Sequence, residues 1–75
     1  MRGALVPVIE KLVHGIAALE LMVRDLTFAA HEVAESSAAE VLRGLARRHR
    51  VKILEMNGQL AAVADQYVNE ACREL

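Results

Sequence analysis

Two pairs of residues in the first half of the chain have the types and spacing to hold a metal: Glu10 with His14, and His31 with Glu35. On a helix, side chains four apart stand one above the other, so each pair would offer an imidazole nitrogen and a carboxylate oxygen on one face. The pairs mirror each other about residues 22 and 23. Two such helices packed antiparallel would bring Glu10 and His14 of one chain beside His31 and Glu35 of a second, giving two equivalent sites suited to zinc or iron. The plainer reading makes the same four residues a solvated polar face, and the chain then carries no cofactor.

Arg43, Arg47, Arg48, Arg50 and Lys52 put five positive charges in ten residues. Such a cluster can neutralise an acidic ligand or phosphates. An antiparallel partner helix would lay it near Glu20, Asp25 and Glu32, so inter-helix ion pairs at exposed edges are the simpler expectation, each contributing little. No aromatic residues are interleaved to stack bases, and the formal net charge is -1. Nucleic acid and membrane surfaces are therefore not the expected partners.

Other chemistry is sparse. Cys72 is the only cysteine and has no histidine near it in sequence, which disfavours both an internal disulfide and a thiol nucleophile and suits a reducing cytoplasm. Gly3, Gly15, Gly44 and Gly58 are scattered one to a segment and form no phosphate-cradling loop. Nothing assembles a catalytic set, so a structural or protein-interaction role is expected before an enzymatic one.

The elements that carry these residues are helices. Leu5, Ile9, Leu12, Ile16, Leu19, Val23, Leu26, Ala30 and Val33 step by three and four, one apolar seam along a long helix. Pro7 suits a first turn and Glu10 complements the dipole, so this helix is expected over about 6–35. Ser37 and Glu40 then have capping-box spacing, which makes 36–37 the turn and opens a second helix over about 38–75. Its seam is Leu42, Ala46, His49, Ile53, Met56, Leu60, Val63 and Tyr67, widened by Leu45 and Ala64. Asn57-Gly58 is a turn-prone pair at which this helix either continues, with or without a kink, or breaks and restarts. A connection this short makes the helices antiparallel, an all-α hairpin forming one domain over 1–75.

Each helix carries further apolar residues that one hairpin leaves uncovered: Leu21 and Phe28 on the first, and Val51, Leu54, Ala61 and Val68 on the second. A 75-residue chain has a marginal core, so self-association is the natural remedy. Two hairpins joined through Leu21, Phe28, Val51 and Leu54 would make a homodimeric four-helix bundle, with larger homo-oligomers or another helical protein as other partners.

The run Ala18-Leu19-Glu20, then Arg24-Asp25, Phe28, Ala30 and Glu32, followed by Leu42, Leu45-Ala46 and Leu54-Glu55-Met56, resembles a rubrerythrin-type, ferritin-like hairpin from Ala18 to Met56. The resemblance implies a four-helix bundle and, in intact members, a di-iron centre built from a Glu about seven residues before a Tyr or Phe and from Glu-x-x-His. Here Leu21 stands seven before Phe28, and Arg47-Arg48-His49-Arg50-Val51-Lys52 stands where Glu-x-x-His belongs. Only Glu20 is near a ligand position, so the resemblance implies the bundle without its iron chemistry.

A second resemblance sits on the same residues. His49-Arg50-Val51-Lys52 is similar to the His-Arg-Val-Lys-Asn box around the phosphoacceptor histidine of a branch of bacterial sensor kinases, with Ile53 in place of the Asn. It implies a histidine phosphotransfer module using His49. That role needs an exposed imidazole, whereas the seam assignment turns His49 towards the core.

Overall fold

The computed structural model describes residues 2–74 and consists of two helices, α1 (Arg2–Glu32) and α2 (Ser36–Glu74), packed side by side as an antiparallel hairpin. Met1 and Leu75, the ends of the single domain expected over 1–75, lie outside the described residues. The molecule is a rod of 59 × 14 × 13 Å. At about 1.5 Å per residue α2 alone spans this length, and α1 lies along most of it.

Every expected seam position faces the other helix. From Leu5 to Val33 on α1, and from Leu42 to Tyr67 on α2, each is buried or half-buried, Leu45 and Ala64 included. Full burial is rare, however. Only Ile16, Ala30, Ala39 and Ala46 reach it among the described residues, and three of these are alanines near the turn. Their short side chains let the backbones approach there. Farther from the turn the close approach falls at Gly15, where an added Cβ would stand 2.6 Å from Met56 Cε. Met56 thus fills the space that Gly15 leaves open.

Helix boundaries depart from the expected 6–35, 36–37 and 38–75. α1 begins at Arg2, so Pro7 lies inside it rather than in its first turn. Pro7 lacks the N–H that would reach the Gly3 carbonyl, but Gly3 is exposed and leaves that oxygen open to solvent. Meanwhile Leu5 and Ile9 are half-buried, and that packing carries the helix past the proline. α1 also stops earlier. The Val33 amide closes its last turn on the Ala29 carbonyl at 3.1 Å, and Val33-Ala34-Glu35 form the connection.

Glu35, not Ser37, occupies the capping position of α2. Its carbonyl accepts the Ala39 amide at 3.1 Å, and its carboxylate accepts the Ser37 hydroxyl at 2.7 Å. The capping box expected of Ser37 and Glu40 does not form, because Glu40 is drawn to Arg43 and Arg47 further along α2. No described residue has a positive φ, so the turn is made without a left-handed residue.

α2 runs unbroken through Asn57-Gly58. A single glycine in a helix costs about 1 kcal/mol against alanine, too little to break one held by packing on both sides. Gly58 has open space where a Cβ would go. Gly58→Ala should therefore raise unfolding stability by about 0.5 to 1 kcal/mol. Gly15→Ala should fall short of that gain, since Met56 must move aside. Urea unfolding of the two variants checks the pair, and a destabilised Gly58→Ala would contradict an open helical position.

Candidate functional site

Two features of the rod stand out chemically: its uncovered apolar side chains and a cationic cleft near the turn. Ten large apolar residues are exposed among the described residues: Val6, Val8, Val13, Leu21, Met22 and Phe28 on α1, and Val41, Val51, Leu54 and Val68 on α2. Phe28 at 67% and Leu54 at 71% are the most open. At about 100° per residue, Leu21 and Phe28 lie on the side of α1 opposite its seam, and Val51 lies opposite the seam of α2. The hairpin therefore sets Leu21 and Phe28 on one outer edge and Val51 and Leu54 on the outer side of the other helix. It does not join the four into one face.

Val6, Val8, Val13 and Met22 extend the exposure of α1 to its flanks, which a search for stripes seven residues apart does not find. The available signal is the uncharged run from Gly3 to Ile9. Charged residues are interleaved with these positions: Glu10, His14, Asp25 and Glu32 are exposed on the same outer side of α1 as Leu21 and Phe28. Both helices are amphipathic, and α1 is the more hydrophobic of the two on average.

The cleft holds about 240 Å³ between the helices. Thr27 and His31 of α1 line it, with Arg43, Arg47 and Arg50 of α2, above a floor of Ala30 and Ala46. The three arginines sit at i, i+4 and i+7, one face of α2. The ion pairs these cations make among the described residues stay within α2: Arg43 to Glu40 at 3.4 Å, Arg47 to Glu40 at 4.0 Å and Lys52 to Glu55 at 3.8 Å. Pairing with Glu20, Asp25 and Glu32 across the hairpin, the sequence expectation, is not what these residues do. All three acids are exposed, and the cations pair instead with acids one or two turns away on their own helix. The cluster's reach to α1 is the Arg50 guanidinium, which donates to the Thr27 hydroxyl at 3.4 Å. Thr27 in turn donates to the Val23 carbonyl at 2.7 Å, so its oxygen faces Arg50 as an acceptor.

The candidate metal ligands are apart. Glu10 and His14 are exposed on one helical face, but α1 ends at Glu32, so His31 lies in its last turn and Glu35 beyond it. The second pair thus lacks the helical i, i+4 geometry of the first. No group of three or more His, Cys, Asp or Glu able to hold a metal occurs among the described residues. Glu20, the residue near a ferritin-type ligand position, points to solvent. His49 is half-buried in the seam. Cys72 is a free, exposed thiol. No helix among the described residues is long and apolar enough to cross a membrane.

Comparison with known proteins returned no matching family model, no matching curated protein and no matching solved structure.

His49 puts a polar ring on an otherwise apolar seam. His49→Leu should therefore stabilise the hairpin by about 1 kcal/mol, seen as a higher urea midpoint at unchanged slope. A loss of stability would show that the imidazole contributes more as a polar group than as packing volume.

Proposed function

We propose that this protein is a self-associating helical module in which a second copy of the chain covers α1, giving a homodimeric four-helix bundle with a structural or protein-interaction role. The observation that carries this reading is the exposure of six large apolar residues around α1. Isolated surface leucines are ordinary, but apolar exposure along one helix from Val6 to Phe28 marks an interface.

Surface area supports a second copy as the occupant. The rod exposes 5530 Å². A compact monomer of this mass exposes about 4500 Å², so the hairpin leaves roughly 1000 Å² more in water than a globular chain would. A standard interface buries about 800 Å² on each partner, which is the scale of that excess. Twofold pairing through the Leu21 and Phe28 side of α1 would cover those two residues and leave the arginine-rich faces of α2 outside.

On this reading the likeness to ferritin-type hairpins is one of architecture. The outward Glu20 and the basic run from Arg47 to Lys52 favour a bundle without the di-iron ligand set.

Replacing Leu21 and Phe28 together by serine should leave helical content largely intact at high concentration and shift the protein to monomer. Each side chain removes burial worth about 1.5 to 3 kcal/mol per chain. Sedimentation equilibrium on parent and variant decides the matter. A parent that is monomeric at tens of micromolar on the usual scale of stable dimers, or a variant with the parent's oligomeric state, overturns the assembly.

A further inference from the structure

We propose that the cleft between Thr27, His31 and the arginines of α2 is an anion site that takes a single phosphate group, either free or as the monoester of a small molecule. This proposal is independent of the assembly described above. It rests on what lines the cleft and on what does not.

Arg43, Arg47 and Arg50 come from α2 and His31 from α1, so donors approach the same space from both helices. A guanidinium presents its N–H groups as a planar fork that matches two oxygens of a phosphate, and three such forks on one helix face exceed what the nearby acid can use. That acid is Glu40. Its pairs with Arg43 and Arg47, at 3.4 and 4.0 Å, are exposed and weak. A dianion would compete well against one solvated carboxylate.

Arg50 is steadied rather than neutralised. It is held on the oxygen of Thr27, whose own proton goes to the Val23 carbonyl. Among the described residues its guanidinium makes no ion pair, and it lines the cleft. The charge is also local, since the chain as a whole carries -1.

Size and surroundings select the ligand class. The cleft of about 240 Å³ is open to solvent and confined to seven lining residues, a short stretch for a polymer backbone. No tyrosine or tryptophan lines it to stack a base. The neighbouring hollow, about 310 Å³, is lined by both Glu40 and Arg48, so opposite charges meet there and it offers an anion no comparable field.

The test is a titration of the intact protein with inorganic phosphate and, separately, with glycerol 3-phosphate, followed by amide chemical shifts at 0.15 M salt. Saturable shifts at one anion per chain, centred on Thr27, His31, Arg43 and Arg47, are expected from at least one of the two. Binding to both, or to one, tells a general phosphate site from a selective one. The double variant Arg43→Gln/Arg47→Gln should bind about tenfold or more weakly, as loss of charge-assisted hydrogen bonds predicts. The control Lys52→Gln/Arg73→Gln removes the same charge elsewhere on α2 and should stay within about twofold of the parent. Should the cleft variant fail to fold, Arg43→Lys/Arg47→Lys keeps the charge and loses the fork, and it too should bind several-fold more weakly than the parent. The proposal fails if the parent shows no saturable shifts at the cleft, or if the control loses as much affinity as the cleft variants.

Discussion

Two helices can share only one seam, and nearly everything about this protein follows from that constraint. Each cylinder hides one stripe against its neighbour and leaves the rest of its circumference in water. The chain meets this limit by length, with helices of 31 and 39 residues that keep the seam continuous from Leu5 to Val33 and from Leu42 to Tyr67. It also uses small residues to bring the helices close: alanines near the turn, and Gly15 against Met56 farther along. What it cannot do alone is cover α1, whose apolar residues outnumber the places that one partner helix provides.

Electrostatics plays a different part. The pairs among Glu40, Arg43, Arg47, Lys52 and Glu55 are exposed and lie within one helix, so they add little to the joining of α1 to α2. Hydrophobic contact holds the hairpin. Apart from the Arg50 contact with Thr27, the basic residues do not join α1 to α2, and five of them are concentrated between Arg43 and Lys52 in an otherwise nearly neutral chain.

The architecture was legible in the sequence because burial along a seam acts at a fixed period. Leu, Ile and Val at three-four spacing have one way to leave water, and every seam position from Leu5 to Tyr67 is at least half-covered as that period requires. Helix ends were less legible. They turn on a few tenths of a kcal/mol to about 1 kcal/mol among competing caps, and Glu35 took the place that Ser37 suits better by type. Pro7 misled for a related reason, since its lost hydrogen bond matters little where the carbonyl it would have met is open to solvent. The cleft was only half-readable: Arg43, Arg47 and Arg50 are visible as one face of a helix, but Thr27 and His31 join them through the register of the hairpin, which single-helix periodicity does not define. The exposed stripes show the same limit, because a seven-residue spacing locates Leu21 and Val51 on their own helices but not on opposite edges of the pair.

Tight packing is unevenly spread along the rod. Ala30, Ala39 and Ala46 are buried beside the turn and Ile16 near the middle, whereas no described residue before Ile16 or after Ala46 is fully covered. Contacts near the turn also join residues close in sequence and need only short loops to close, while those at the open end join the two ends of the chain. The hairpin is therefore built like a zipper fastened at the turn. Opening begins at the open end and travels inward, so amide exchange should quicken steadily towards both termini, and folding should start at Val33-Ala34-Glu35 and close outward. A copy packed along α1 would clamp the end that opens first, which makes assembly and local order a single event for the first turns of this helix.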